Sequence, residues 1–458
     1  MSRHRDTVQQ SIEAGSRFAT LYASENTVRT VLVAPHGATQ IIVSPVVDGH
    51  ARSVVDLVPA AAWDEREAAD LYGICFDGHE PLRPLVNHDP DLESWTVPVQ
   101  GRDAYQIAVG PIHAGVIESG HFRFHVVGDR ILHLDARLFY KHRGLERAAE
   151  GHSPEGGIAF AQRACAGCAV SNSLAYAHAW ENALGLAPTR ELSCSRTILL
   201  ELERLWNHLN DIAAICAGVG FAAGNNRFAG LTENARRLNE ALTGHRFLFD
   251  TISVGGSTLT LTREQVAHAR EQLEAIRDES RRAWRELLFN ASFQDRLPDV
   301  GVVSADDART LGAVGPAARA SGLAEDARTT SHRLAYDDFQ PVAPKRTAGD
   351  VQARLEQRAV ELLQTFDLLE SLLDAPVNPT STVAGGLEAD VGIGRVESPR
   401  GATVCVVEHT NRQIKRVHLR TGSYANWPVV AHAAAGNLLP DFPLINKSFE
   451  LCYACADR

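Results

Sequence analysis

The 458-residue sequence predicts an α+β protein. A small α/β unit over residues 1–100 precedes a mainly helical unit over residues 101–458 with peripheral β-hairpins. Three observations predict this. Short β-branched runs alternate with turn residues near the N-terminus. Three long stretches after residue 195 carry apolar residues at helical spacing. Between the two regimes lies HEPLRPLVNHDPDLESWTVPVQGRD, rich in Pro and Asp, which is the composition of a linker.

In chain order, TVRTVLVA, TQIIVSPVV and ARSVVDLV read as strands, and WDEREAADLYGI reads as a helix with its acidic residues early. HFRFHVVGDRILHLDARLFY reads as two strands joined at Gly128-Asp129, a hairpin signal. RTILLELERLWNHLNDIAAIC puts Ile198, Leu202, Leu205, Leu209 and Ile212 on one helical face. TREQVAHAREQLEAIRDESRRAWRELL is a long amphipathic helix opened by a capping-box pair, Thr262 and Gln265. DVQARLEQRAVELLQTFDLLESLLD stripes Val351, Leu355, Leu362, Phe366, Leu369 and Leu373, with Asp350 as N-cap. Together these helices predict a bundle-like core. TVCVVEHTNRQIKRVHLRT reads as a final hairpin.

Composition narrows the function. Hydrophobic residues make up 45% and charged residues 22%, as in an ordinary globular protein. A net charge of −11 argues against nucleic acid or anionic lipid as the main partner. No apolar stretch approaches the roughly 20 residues of a membrane span. The N-terminus has no apolar h-region, so no secretory signal is expected. The eight cysteines are therefore expected to be reduced thiols available for metal or redox chemistry.

Cys75, Cys194, Cys216 and Cys405 suit buried apolar positions. The others form two Cys-x-x-Cys pairs: Cys165 and Cys168 in RACAGCAVSN, and Cys452 and Cys455 in LCYACADR. A structural zinc site usually brings its pairs within roughly 15–20 residues, and these lie far apart. A thioredoxin-like motif needs one pair, not two. Four thiolates converging from remote segments would make a soft site for nickel, zinc or iron, and spacing alone does not choose among them. AGVGFAAG has Gly218, Gly220 and Ala223 in a G-x-G-x-x-A pattern. It follows a helix-type run rather than a strand, so it reads as a tightly packed helix end and not a dinucleotide site. Polar clusters occur at His113, Glu118 and His121; at His142, Arg143 and Glu146; at Arg319, Ser321, Asp326 and Arg328; and at Arg400, between Pro399 and Gly401 in a turn. Taken singly, the first two read as a polar surface or an ion-paired strand end, the third as an ordinary Gly-containing loop and the fourth as a rigid turn.

Their order along the chain carries more information. RACAGCAVSN resembles the first cysteine motif of NiFe-hydrogenase large subunits, and LCYACADR resembles the second. GPIHAGVIESGHFRF, RLFYKHRGLER, ARASG…DAR, VESPRG and SYANWP follow the order of the energy-converting, membrane-bound branch, near the formate hydrogenlyase type. WDEREAADLYGICFDGHEPLRPLV resembles the 30-kDa subunit of respiratory complex I, and the remainder resembles its 49-kDa subunit, the two being fused here.

The resemblance implies a nickel–iron centre whose iron carries cyanide and carbonyl. Cys165 and Cys452 would be terminal nickel ligands, and Cys168 and Cys455 would bridge the metals. It implies reversible interconversion of H2 with protons and electrons. Cys452 would accept a proton, Glu118 would relay it, and Arg400 would overhang the open site. It implies an iron–sulfur small subunit with a 4Fe–4S cluster, a ferredoxin-like subunit and integral membrane subunits. It places the chain as a peripheral subunit on the cytoplasmic face of the membrane, without nucleic-acid partners. Four positions depart from the motifs: Asn172 replaces a His, Glu450-Leu451 replaces Asp-Pro, and Ala166 replaces Gly. The alternative is a complex I-like NADH/quinone oxidoreductase subunit of 49-kDa type without hydrogenase activity.

Overall fold

A computed structural model describes residues 2–89, 91–114, 117–337, 339–342, 346–375, 377 and 382–458. The N-terminal helix Ser2–Glu13 leads into an antiparallel sheet of Arg17–Ser24, Thr27–Val33 and Thr39–Pro45. Helix Ala62–Tyr72 then connects a short parallel pair, His50–Arg52 and Cys75–Asp77. It ends at Gly73, whose φ of +67° closes a left-handed cap.

The sheet's first two strands are buried on both faces, and the edge strand Thr39–Pro45 is partly exposed. Leu21, Ala23, Val28 and Leu32 pack on Val8, Val54, Ala68 and Phe76. Ala19, Tyr22, Val31 and Val33 pack on Val404 and Val406 of the second unit. Polar contacts fix the same junction. Tyr22 Oη and Ser24 Oγ donate to Glu408 at 2.8 and 2.7 Å, and Arg420 pairs with Asp64 at 3.1 Å.

One strand in this unit is unforeseen, and one expectation fails. Strand Arg17–Ser24 has no β-branched run and is invisible to that signal. Of ARSVVDLV only Ala51 and Arg52 are in a strand. The rest turns inward because Glu65 captures Ser53 Oγ and the Val54 amide at 2.8 and 2.7 Å.

In the second unit the expected hairpin forms from His121–Val127 and Arg130–Arg137, with a further strand, Tyr105–Val109, on its edge. The long helices are Ala169–Ala183, Arg190–Val219, Ala222–Thr243, Arg263–Phe289 and Val351–Leu372. The capping box at Thr262 and Gln265 forms, as does the Asp350 cap on Ala353 N at 2.8 Å. Helix Arg190–Val219 is buried over most of its length and is the axis of the unit. It ends at Gly220, in the left-handed region at φ +84°, and Gly218 lies against Leu444. The AGVGFAAG segment is therefore a tightly packed helix end, as expected.

The last sheet is Val391–Ser398, Gly401–Thr410 and Gln413–Arg420. Helix Ala169–Ala183 lies directly on it. A Cβ at Gly392 or Gly394 would sit 1.9 Å from the carbonyl oxygen of Ala179 or Ala175. No helix among the described residues is long and apolar enough to cross a membrane.

Candidate metal centre

Helix Pro154–Gln162 stops at Arg163, and Cys165 takes extended geometry. A single 3-10 turn, Ala166–Cys168, then feeds helix Ala169–Ala183. The turn is clamped from two sides. Arg143 donates to the carbonyls of Arg163 and Ala164, both at 3.0 Å. From the axial helix, Asn207 Nδ2 donates to Gly167 O at 2.9 Å, and Glu203 accepts from the amides of Val170 and Ser171 at 2.6 and 3.1 Å.

The second pair follows helix Phe442–Phe449, which ends at Glu450 with φ +47°. Cys452 is extended and begins the one-turn helix Tyr453–Asp457. Its amide donates to Ser423 Oγ at 3.1 Å, and Cys455 O accepts from Thr421 Oγ1 at 3.1 Å. Asp457 accepts from the amides of Phe139 and Lys141 at 2.7 and 3.0 Å. Arg458 pairs with Glu67 of the N-terminal unit and with Glu146, the latter at 2.7 Å.

The two pairs meet. The sulfurs of Cys165, Cys168, Cys452 and Cys455 all lie within 4.8 Å of one another. Cys452 is half-buried and the other three are buried. A Cβ on Gly167 would be 3.5 Å from Cys452 Sγ and 3.6 Å from Cys165 Sγ, so the loop passes close under the sulfurs. A cleft of 510 Å³ opens on Cys165, Cys452, Arg400, Asn207, Glu450 and Glu118.

Arg400 brings a buried positive charge. Its guanidinium binds Asp211, which also accepts from Arg358 Nε at 3.0 Å. Asp211 and the nearby thiols keep Arg400 charged despite its burial. Hydrogen bonds from Cys165, Cys168 and Cys455, together with the Arg400 charge, hold Cys452 well below the usual thiol range. The same sulfur contacts push Cys168 and Cys455 up. Burial, with repulsion from Asp211, raises Glu450 to about 7.

Several buried polar atoms around the centre have no partner among the described residues: both amide atoms of Asn172, Asn207 Oδ1, Asp211 Oδ1 and Arg400 Nε. Such orphans mark places where water or a bound group completes the bonding. Four convergent thiols inside a partly unsatisfied polar shell fit a soft metal group.

The other sequence candidates fall out as follows. Glu118 is exposed at the cleft mouth, and its Oε2 accepts from Ala454 N at 2.9 Å. It makes no ion pair among the described residues, and Arg123 donates to Gln106 instead. His113 contacts Gly120 O at 2.8 Å, His121 contacts Gly110 O at 3.1 Å, and His142 contacts Asp457 O at 2.6 Å. Arg319, Asp326 and Arg328 are not a surface loop. They join Glu361, Glu397 and Glu201 in a buried ion network. Cys194, Cys216 and Cys405 are buried as expected, but Cys75 is exposed, because its strand is short and Phe76 takes the inward position. Glu203, Asn207 and Asp211 escaped the sequence reading. They are four residues apart on the axial helix, one polar stripe facing the cysteine loop.

Residues 6–101 match the family described as respiratory-chain NADH dehydrogenase, 30 Kd subunit. Residues 228–389 and 387–458 match the one described as its 49 Kd subunit. The chain is 30% identical over 435 residues to formate hydrogenlyase subunit 5 of Escherichia coli (strain K12), covering 89% of this chain and 76% of that protein. It is 32% identical over 449 residues to hydrogenase-4 component G of the same organism, covering 91% and 78%. The chain belongs to the membrane-bound hydrogenase large-subunit family. As such it is an oxidoreductase subunit in which the 30-kDa and 49-kDa parts of complex I are fused. A solved structure titled as the membrane-bound sulfane sulfur reductase, an archaeal respiratory membrane complex, matches with a TM-score of 0.70 at 26% identity, over 78% of this chain and 99% of the other.

Proposed function

We propose that this chain is the catalytic subunit of a membrane-associated NiFe hydrogenase that interconverts H2 with protons and electrons. The observation that supports it is the meeting of four thiols from two remote segments beside a buried Arg400–Asp211 pair. Cys165, Cys168, Cys452 and Cys455 would hold nickel and an iron bearing cyanide and carbonyl. When bound, that centre supplies the cleavage and formation of H2.

The residues around it do the rest. Arg400, itself buried, keeps a permanent charge beside Cys452 and Cys168 where the cleft reaches the thiols. Cys452 is the least buried of the four, and its thiolate takes up a proton only in passing before handing it on. Glu118, anchored on Ala454 N at the cleft mouth, passes that proton to solvent. The remaining cysteines are dispersed, so electrons leave through a 4Fe–4S cluster in a small-subunit partner. A ferredoxin-like subunit and integral membrane subunits complete the assembly, with this chain peripheral on the cytoplasmic face.

Metal analysis of the purified complex tests the reading. Nickel and iron near one each per chain, with H2-dependent dye reduction, are expected. Zinc alone would overturn it. The second reading, a complex I-like or quinone-linked subunit without hydrogenase activity, draws support from Asn172, from Glu450-Leu451, and from the likeness to a sulfane sulfur reductase. It requires nickel to be absent.

A further inference from the structure

The N-terminal unit carries a second set of unlike donors, remote in sequence from the four-cysteine centre. In the parallel pair His50–Arg52 and Cys75–Asp77, His50 lies opposite Cys75 and Arg52 opposite Asp77. Side chains alternate along a strand. Ala51 and Phe76 take the core positions at 0% and 2% exposure, which throws His50, Cys75 and Asp77 onto the outer face together. There His50 Nδ1 is 2.9 Å from Asp77 Oδ1, and one ligand atom from each of the three lies within 4.8 Å of the others. The backbone presets the group. Cys75 N donates to Gly49 O at 2.9 Å, and Ser53 N donates to Asp77 O at 3.1 Å. Cys75 is also the one exposed thiol among the eight cysteines.

We propose that His50, Cys75 and Asp77 bind a divalent transition-metal ion of borderline softness, of which zinc is the type, with the fourth coordination position open to solvent. An imidazole, a thiolate and a carboxylate are the donor classes zinc takes, and calcium or magnesium would not select the thiol. Three protein ligands with one open position make an exchangeable site rather than a closed structural one. Binding displaces the Cys75 thiol proton and replaces the His50–Asp77 hydrogen bond by two metal bonds. The ion would tie the end of one strand to the other across the connecting helix.

The test uses the full chain with Zn2+ as probe and reads alkylation of the Cys75 peptide by mass spectrometry, so the four-cysteine centre does not contribute to the signal. Saturating Zn2+ is expected to slow Cys75 alkylation about tenfold or more. His50→Ala and Asp77→Asn are each expected to abolish most of that protection, and Cys75→Ser to bind one fewer Zn2+ per chain. Co2+ in place of Zn2+ should give thiolate-to-metal charge-transfer absorption that is lower in Cys75→Ser by the share of one Co2+ per chain, the four-cysteine centre contributing equally to both proteins. An unchanged alkylation rate in the wild type, or equal protection in His50→Ala, overturns the site.

Discussion

Glu203 offers a test of how the axial helix holds the first cysteine pair. It is fully buried, and its carboxylate accepts from the Val170 and Ser171 amides at the start of the helix that follows Cys168. Burial outweighs these donors and raises its pKa from 4.5 to about 7. Between those values the unfolded chain gives up a proton that the folded chain retains. The stability Glu203 contributes is therefore present below about 4.5 and is lost as pH rises through about 7. At about 1.4 kcal/mol per pH unit the loss is about 3 kcal/mol. Glu203→Gln keeps the shape and one acceptor but cannot ionise, so it escapes the loss. At pH 5 the variant should be less stable by about 1–2 kcal/mol, because an amide NH2 now faces a backbone donor. At pH 8 it should match or exceed the wild type. Urea unfolding of both proteins from pH 5 to 8, followed by tryptophan fluorescence, reads the difference, and other titrating groups cancel in the subtraction. A difference that stays constant within about 0.5 kcal/mol across that range would refute the reasoning.

Three further outcomes are expected. Cys168→Ser or Cys455→Ser should remove bound nickel and abolish H2 turnover, while Cys194→Ser, remote from the centre, should be near neutral; normal nickel in either of the first two would sink the ligand assignment. Glu118→Gln should lower H2 turnover by about 10²–10⁴-fold with normal metal content, since it retains the Ala454 contact but carries no proton; near-full turnover would move the relay to another group. Asn172→His should keep or raise turnover, a hydrogen bond to a charged partner being worth about 1.5–3 kcal/mol; a fall of tenfold or more would show that the pocket has packed around the asparagine.

Three of the five long helices, two of their caps and both hairpins were legible because their signals are local, as Thr262 with Gln265 and Asp350 with Ala353 illustrate. The cysteine pairs were legible as pairs, but their meeting is a property of the fold. Glu203, Asn207 and Asp211 left a trace that apolar periodicity overlooks: polar residues recurring every four positions in a helix that is otherwise core. The Arg319–Asp326–Arg328 segment reads as an ordinary loop because its partners Glu201, Glu361 and Glu397 come from other elements. Cys75 misled for a related reason. A thiol in a three-residue strand has no periodicity long enough to show which face it takes.

The buried charges around the centre are better explained by placement than by stability. Taking Arg358, Arg400 and Asp211 out of water costs several kcal/mol per ion, and apolar residues of equal volume would hold a core as well. Removing one member of such a group costs about 3–5 kcal/mol, because the others are left buried and uncompensated. That penalty gives the cluster one stable arrangement. Asp211 is rigid on the axial helix, so Arg400 is fixed relative to Asn207 and Glu203, which hold the first cysteine turn through the same helix. Arg358 carries the constraint across to the second pair through Phe449 O at 2.8 Å. The turn that bears Cys452 and Cys455 is too short to be helical on its own. It is held instead by Ser423, Thr421, the Phe139 and Lys141 amides, Glu146 and Glu67. Glu67 belongs to the N-terminal unit, so the position of the second thiol pair depends on that unit being docked.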